Sequence, residues 1–204
     1  MNGILNDMPS DLLVVMALEI ESQGVFQAAG IPVLYTGVGK VNAAHALTRK
    51  LAEYRHTNRA LPHVVNFGTA GSHTFSTGDV VACNAFVQRD MDVTALGFAV
   101  GTTPFDSSPP RLEFPESLSR LPHGVCSSAD AFETRGPAVK CDVLDMEAYA
   151  LAKVCWLEKA RFTCVKYVTD GADHAAANDW QANLPKAAAE FLKIYLEISQ
   201  PSSV

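Results

Sequence analysis

Runs of apolar residues alternate along the chain with segments that carry apolar residues at helical spacing. Leu12–Leu18 (LLVVMAL) is a continuous apolar run, which is typical of a β-strand buried on both faces. Four later segments share the apolar character of strands: Pro32–Thr36, His63–Phe67, Asp79–Val87 and Arg161–Val168. This pattern predicts a sheet of at least five strands with a largely buried centre.

Three segments are predicted to be helices. Apolar residues recur at helical spacing in Val41–Tyr54, and Val143–Lys159 and Trp180–Ile198 have helical composition. Gly101–Pro122 holds five prolines and is predicted to be a surface excursion rather than a linker. Strands that alternate with helices predict the α/β class, with a mostly parallel or mixed sheet covered by helices. We expect a single domain over residues 1–204.

The composition narrows the possible partners and the compartment. The 204 residues are 48% hydrophobic and carry a net charge of −6 without a basic cluster, which argues against nucleic acid or an anionic membrane as partner. Leu12–Leu18 is too short to span a bilayer, and no signal peptide is expected. Five cysteines without a CxxC pair predict reduced thiols in the cytoplasm. The six histidines show no metal-binding spacing, so no metal is expected.

Several carboxylates and hydroxyls follow directly after the predicted strands. Glu21 follows the first strand, Thr69 follows the third, and Asp170 follows the strand that ends at Val168. Because the carboxyl ends of parallel strands meet at one edge of a sheet, two such carboxylates can serve as acid and base. The same acids could instead bind free N–H groups at helix N-termini, and spacing alone favours that structural role.

Two further features have both a functional and a structural interpretation. Gly37-Val38-Gly39-Lys40 resembles part of a phosphate-binding loop, but Val41 stands where that loop needs Ser or Thr. A tight strand-to-helix turn is therefore the favoured interpretation. Trp180 could anchor the core or cover a pocket, and spacing does not separate these alternatives.

Eight short blocks, taken in order, resemble one enzyme superfamily. They are MALEIE from Met16, TGVGKVNAA from Thr36, NFGTAG from Asn66, GDVV from Gly78, RDMDVTALGF from Arg89, SADAF from Ser128, DMEAYA from Asp145 and TDGAD from Thr169. Together they resemble the nucleoside phosphorylase/nucleosidase superfamily, and within it most closely the 5′-methylthioadenosine/S-adenosylhomocysteine nucleosidases. The resemblance implies one α/β domain with a mixed, partly barrel-like central sheet flanked by helices. It implies no cofactor.

The resemblance also implies roles for three acids, two of them catalytic and one in substrate binding. Asp170 matches the acid that protonates adenine N7, and Glu21 matches the base that activates water. Glu147, with Met146 beside it, matches the residue that binds the ribose hydroxyls. The implied reaction is hydrolysis of the N-glycosidic bond of 5′-methylthioadenosine or S-adenosylhomocysteine, and Asp170 must then hold a proton in the complex.

The remaining implied site residues surround the base and the 5′-substituent. Thr69 stands where the family usually has Ser and Lys166 where it often has Arg, both near the water and the base. Phe132 matches the aromatic residue against the purine. Val38 and Trp180 match residues that line the 5′-substituent pocket. A second subunit is expected to contribute three more residues to that pocket, which implies a homodimer: Val93, Leu96 and Pro104.

The chain also departs from the family. Only Ser22–Gly30 separates Glu21 from the next predicted strand, whereas the family usually has a β-hairpin in this region. Leu96 replaces a common Phe and Thr169 a common Ser. The shortened segment affects the packing around the substrate but does not involve Asp170, Glu21 or Glu147.

Three alternatives to this function are open. A phosphorylase needs cationic groups for phosphate, but Glu19, Glu21 and Asn66 stand where the related phosphorylases have arginines. A hydrolase of futalosine or of a nucleotide is a second alternative, although the apolar residues expected around the 5′-substituent favour an alkylthio group. A catalytically inactive binding protein is a third, and the intact acids Glu147 and Asp170, together with Glu21, argue against it.

Overall fold

The computed structural model of the protein describes residues 12–115, 118–131, 139–171 and 176–200. The elements in chain order are β1 (Leu12–Met16), α1 (Glu19–Ser22), α2 (Val25–Ala28), β2 (Val33–Tyr35), α3 (Lys40–His56), β3 (His63–Gly71), β4 (Val80–Gln88), a 3-10 turn (Thr94–Leu96), β5 (Arg111–Glu113), β6 (His123–Ser128), β7 (Val143–Asp145), α4 (Ala148–Glu158), β8 (Phe162–Asp170) and α5 (Ala176–Ile198). The α/β class is therefore confirmed.

Five strands close into a ring at the centre of the sheet. The ring runs β3, β8, β4, β6, β7 and back to β3, and the last step is the antiparallel pair Gly71–Leu144. Strands β1 and β2 extend the sheet from β3, and β5 extends it from β4. Parallel and antiparallel pairs both occur, since β3 and β8 run parallel while β4 and β8 run antiparallel. The mixed, partly barrel-like sheet flanked by helices is confirmed.

The central strands are buried on both faces, as their continuous apolar runs predict. In β1, Leu13 and Val15 pack into one hydrophobic cluster, whereas Val14 and Met16 pack into the other. This division follows from the alternation of side chains along a strand. Phe67 of β3 meets Phe191 of α5, with ring centroids 5.2 Å apart. Helix α5 thereby covers the face of the sheet that carries Val14 and Met16.

Several predicted boundaries were wrong for physical reasons. The segment predicted as a helix from Val143 begins as strand β7, because its first residues pair with β6 and complete the ring. The predicted excursion from Gly101 contains the short strand β5, whose Leu112 is buried against β4. Strand β6 was not predicted, since its sequence HGVCSS has little apolar character. The shortened segment after Glu21 contains the four-residue helix α2.

Candidate active site

A cavity of about 300 Å³ opens at the carboxyl ends of the strands. Its lining comes from residues at or just beyond the carboxyl ends of β1, β2, β3, β4, β6, β7 and β8, together with Trp180 of α5. This edge is where α/β sheets usually bind ligands. The polar side chains in this lining are Glu21, Thr69, Arg89, Asp145, Glu147, Thr169 and Asp170. Carboxylates from distant parts of the chain therefore face one enclosed space.

Glu21 is buried, and three hydrogen bonds orient its carboxylate. Its Oε1 accepts from the backbone N–H of Thr69 at 3.1 Å and from the Thr69 hydroxyl at 3.0 Å. Its Oε2 accepts from the backbone N–H of Leu18 at 3.0 Å. Glu21 lies on the short helix α1, which follows β1 closely. This position brings the acid into the cavity lining. The group is held as an acceptor facing the ligand space.

Lys166 lies behind the cavity lining and forms a buried ion pair with Asp145. Its Nζ is 2.8 Å from Asp145 Oδ2, and the two side chains are 2% and 1% exposed. A side-chain carbon at position 68 would lie 2.8 Å from this Nζ, so Gly68 leaves the space that the ammonium fills. Burial raises the pKa of Asp145, but the attraction of Lys166 outweighs it and holds the pKa below its ordinary value.

Glu147 directly precedes α4 and accepts a hydrogen bond from the backbone N–H of Gly39 at 2.8 Å. Gly39 has φ of +94°, a conformation that side chains rarely adopt, so the Gly-Val-Gly-Lys turn is what directs this N–H at the acid. Burial and the neighbouring Asp145 carboxylate raise the pKa of Glu147 to about 7. Glu147 therefore exchanges its proton near neutral pH.

Asp170 ends strand β8 and is 5% exposed. The Thr169 hydroxyl donates to its Oδ2 at 2.8 Å. Helix α5 is tied to the same strand end, because the Asn183 side chain donates to the Thr169 carbonyl at 3.2 Å. Asp170 therefore faces the cavity from a rigid strand rather than from a loop.

The lysine of the Gly-Val-Gly-Lys turn forms ion pairs with two carboxylates and therefore does not present its ammonium to a phosphate. Lys40 Nζ is 2.5 Å from Asp90 Oδ1 and 3.8 Å from Asp130 Oδ2. The Lys40 backbone N–H donates to Asp130 at 2.7 Å. The favoured interpretation of a strand-to-helix turn agrees with this geometry, since the ammonium is held between two carboxylates.

The structure brings most of the predicted site residues to one cavity. Seven line it: Glu21, Val38, Thr69, Met146, Glu147, Asp170 and Trp180. Lys166 lies behind this lining, paired with Asp145. Phe132 lies outside the described residues. Val93, Leu96 and Pro104 lie in the segment between β4 and β5 and are not part of the cavity lining of their own chain.

Sequence reasoning missed two polar residues of the cavity. Asp145 begins the DMEAYA block, and only the fold pairs it with Lys166. Arg89 begins the RDMDVTALGF block, and its guanidinium donates to the backbone carbonyls of Asp145 and Ala131, each at 3.0 Å, and to that of Ser127. Arg89 thereby joins the segments that follow β4, β6 and β7.

The described residues give no support for a metal centre or a membrane span. No group of three or more His, Cys, Asp or Glu side chains within them could hold a metal ion. None of the helices in the described part of the chain has the length and apolar character needed to cross a membrane.

Comparison with known families identifies what the chain resembles. Residues 23–200 match the family model of the phosphorylase superfamily. Among curated proteins, the chain is 28% identical over 200 residues to the 5′-methylthioadenosine/S-adenosylhomocysteine nucleosidase of Geobacillus sp. WCH70, covering 87% of this chain and 83% of that protein. It is 27% identical over 198 residues to the nucleosidase of the same name from Bacillus subtilis, covering 86% and 83%.

Solved structures share the fold. A 5′-methylthioadenosine/S-adenosylhomocysteine nucleosidase from Helicobacter pylori, in complex with a substituted pyrrolidin-3-ol, superposes with a TM-score of 0.79 at 21% identity, covering 93% of this chain and 98% of that one. The futalosine hydrolase of the same organism superposes with a TM-score of 0.79 at 22% identity, covering 94% and 99%. At these identities the likeness demonstrates the common fold.

Proposed function

The chain belongs to the phosphorylase superfamily, and we propose that it is a nucleosidase that hydrolyses the N-glycosidic bond of 5′-methylthioadenosine and S-adenosylhomocysteine. The products are adenine and the corresponding thioribose sugar. The observation that carries this proposal is the Glu21 carboxylate, buried and oriented by three hydrogen bonds at the edge of the cavity. The names of the most similar curated relatives support the same substrates.

In the proposed reaction two acids handle the protons. The Asp170 carboxyl gives its proton to adenine N7 while the bond between C1′ and the base breaks, which makes the base a neutral leaving group. Water attacks C1′ and gives a proton to Glu21, and return of that proton to Asp170 through solvent completes the cycle. General acid and base steps of this kind each contribute about 10²–10⁴-fold to a rate.

The other polar groups bind the nucleoside. Glu147, fixed by the Gly39 N–H, accepts hydrogen bonds from the ribose hydroxyls, and Met146 packs beside the sugar. Val38 and Trp180 give the 5′-substituent an apolar wall that suits an alkylthio group. Phe132, which lies outside the described residues, is proposed to contact the purine ring.

The charges around the cavity favour hydrolysis over phosphorolysis. A phosphate dianion needs cationic donors, but Lys166 is already paired with Asp145 and the Arg89 guanidinium is engaged by backbone carbonyls. Glu21 would repel each unit of negative charge on the phosphate by about 4 kcal/mol at about 4 Å and an effective dielectric constant of 20. Water is therefore the proposed nucleophile.

We further propose a homodimer in the cytoplasm. The segment between β4 and β5 carries the exposed apolar side chains Leu96 and Phe105, which are 70% and 97% exposed. Covering them with a second subunit would bring Val93, Leu96 and Pro104 to its neighbour's pocket. None of the five cysteines, all of which lie among the described residues, forms a disulfide, and this suits a reducing compartment. The adenine and thioribose products would then feed purine and methionine salvage.

The test combines a nucleoside panel with one pair of variants. The protein is incubated in phosphate-free buffer with 5′-methylthioadenosine, S-adenosylhomocysteine, adenosine and futalosine, and the released base and sugar are identified. Millimolar phosphate is then added. We expect free sugar at an unchanged rate. A sugar 1-phosphate would assign the protein to the phosphorylases, and preference for futalosine would overturn the proposed substrate.

The variants separate the base from its neighbour on the same helix. Glu21→Gln keeps the shape but does not accept the proton, so turnover should stop while nucleoside binding persists. Glu19→Gln is the matched control, because Glu19 lies on α1 but is exposed, and it should retain activity. Equal activity in the two variants would remove Glu21 from the mechanism.

A further inference from the structure

A chain of hydrogen bonds joins helix α5 to the Glu21 carboxylate. The indole Nε1–H of Trp180 donates to the Thr69 hydroxyl oxygen at 2.8 Å. The same hydroxyl lies 3.0 Å from Glu21 Oε1. Trp180 lines the cavity, as expected for a residue of the 5′-substituent pocket. It also donates a hydrogen bond to Thr69, which in turn contacts the proposed base Glu21.

The direction of each bond in this chain is fixed by the chemistry of the groups. An indole N–H donates and cannot accept, and an ionised carboxylate accepts and cannot donate. The Thr69 hydroxyl has one hydrogen, so it must accept from Trp180 and donate that hydrogen to Glu21. Without the indole N–H, the hydroxyl would be able to rotate and donate elsewhere.

This arrangement determines which oxygen of the Glu21 carboxylate can accept a further hydrogen bond. An ionised carboxylate offers about four acceptor positions, two on each oxygen. Within the described residues, Oε1 accepts two bonds from Thr69, whereas Oε2 accepts one from the Leu18 N–H. The remaining acceptor position therefore lies on Oε2.

We propose that Trp180 is a positioning residue for the water-activating carboxylate, because its indole N–H fixes the Thr69 hydroxyl on Glu21 Oε1 and thereby leaves Oε2 to receive the attacking water. This inference rests on the proposed hydrolysis. It gives α5 a role in the chemical step, in addition to covering the sheet.

The bond can be removed without releasing the helix. Asn183, less than one turn after Trp180, binds α5 independently to the Thr169 carbonyl at 3.2 Å. Further along the helix, Phe191 packs on Phe67. Trp180→Phe keeps an aromatic, although smaller, wall and removes the N–H, and because these other contacts hold α5 in place the variant should fold normally.

The decisive experiment is a double-mutant cycle on nucleoside hydrolysis. Trp180→Phe should lower kcat about three- to tenfold, the value of one hydrogen bond, with little change in KM. Thr69→Val removes the hydroxyl at nearly constant shape. In the Thr69→Val background, Trp180→Phe should cost less than about twofold, because the bond it removes is already absent. Trp156→Phe, in an exposed part of α4, is the matched control and should retain kcat.

The opposite result is equally specific. If Trp180 acts only as a wall of the pocket, Trp180→Phe raises KM, and its cost is the same with or without the Thr69 hydroxyl. That result, obtained with an active wild-type enzyme, overturns the inference and leaves the proposed function intact. A wild-type protein that cleaves none of the nucleosides refutes the proposed function, and the inference with it, before any variant is measured.

A spectroscopic measurement tests the bond without turnover. The chain has two tryptophans, so its proton–nitrogen correlation spectrum has two indole signals, which the Trp156→Phe variant assigns. Thr69→Val should shift the Trp180 indole signal and leave that of Trp156 in place. An unmoved Trp180 signal would show that the bond is absent in solution and would overturn the inference.

Discussion

The floor of the cavity and the segment between β4 and β5 are built in opposite ways. The floor, defined by Glu21, Asp145, Lys166 and Asp170, consists of ionisable residues that are each 1–6% exposed as whole residues. The segment 89–110 between the strands contains the apolar side chains of Leu96 and Phe105, which are 70% and 97% exposed. In the floor polar groups are buried, whereas in the segment apolar groups face solvent.

Their ion pairs differ in the same direction. In the floor, Lys166 and Asp145 are almost completely buried, at 2% and 1% exposure. In the segment, Asp106 pairs with Lys153 of α4, and their side chains are 25% and 18% exposed. Buried pairs depend on both partners, since removal of one leaves an uncompensated charge, whereas exposed pairs contribute little. The ion pair of the floor is therefore enclosed within one chain, whereas the segment carries the exposed apolar side chains that the proposed second subunit would cover.

The largest effect should come from the floor acid. Asp170→Asn cannot supply a proton, so kcat on 5′-methylthioadenosine should fall by about 10²–10⁴-fold, with the unfolding transition unchanged. The matched change in the segment is Asp92→Asn, since Asp92 is exposed and its side chain accepts from Thr94, a bond that Asn can also accept. That variant should keep its activity. An Asp170→Asn enzyme with the wild-type kcat would contradict the acid assignment.

The two ion pairs can be compared directly by stability. Lys166→Met leaves the Asp145 carboxylate buried without its partner, and urea unfolding should show a loss of about 3–5 kcal/mol. Lys153→Met breaks the pair with Asp106 and should lose much less. Lys166→Met combined with Asp145→Asn should recover part of the loss, because the orphaned charge is removed. Equal losses in the two single variants would abolish the distinction between the regions.

The sequence predicts the buried strands of the sheet better than the strands that close its ring. Largely apolar runs predicted β1, β3, β4 and β8, because strands buried on both faces are rich in apolar residues. Strands β6 and β7 complete the ring with short or polar sequences, HGVCSS and VLD, whose stability comes from pairing with neighbours rather than from their own composition.

The same distinction explains which site residues could be predicted. Glu21, Thr69 and Asp170 follow apolar runs, and their place at a sheet edge follows from that position. The pairing of Lys166 with Asp145 depends on closure of the ring, which no local pattern encodes. Arg89 was missed for the same reason, since the carbonyls that it binds belong to segments 38 to 56 residues away.

Glu147, which neighbours Asp145 of the floor, and Asp106 of the segment should change the stability of the protein in opposite directions with pH. Burial and Asp145 raise the pKa of Glu147 from 4.5 to about 7, so the folded chain holds a proton that the unfolded chain releases. The associated stability is present below pH 4.5 and is lost as the pH rises through about 7. Glu147→Gln should flatten this decline in the free energy of unfolding, measured by urea titration across that range.

Asp106 supplies the control for this dependence of the free energy of unfolding on pH. Its hydrogen bond with Lys153 lowers its pKa below 3.8, so its contribution is present above that pH and is lost only as the pH falls through the lower value of the folded state. Asp106→Asn should therefore leave the slope between pH 4.5 and 7 unchanged. If Glu147→Gln leaves the decline of the free energy of unfolding with pH unchanged, the proton responsible for it belongs to another group.

The smallest expected effect concerns the segment and its proposed second subunit. Leu96 is 70% exposed in the single chain, so Leu96→Asp should leave the fold of one subunit unchanged. Covering the new carboxylate would desolvate an unpaired charge, and we expect the dimer dissociation constant to rise at least about tenfold, equivalent to 1.4 kcal/mol. Sedimentation velocity over a concentration series measures this shift, and activity per site should fall as dimers dissociate.

Leu196→Asp on α5, where the leucine is 49% exposed, is the matched control and should leave association unchanged. A wild-type protein that is fully active as a monomer at every concentration would mean that the floor alone makes the site, and the exposed apolar side chains of the segment would need another explanation.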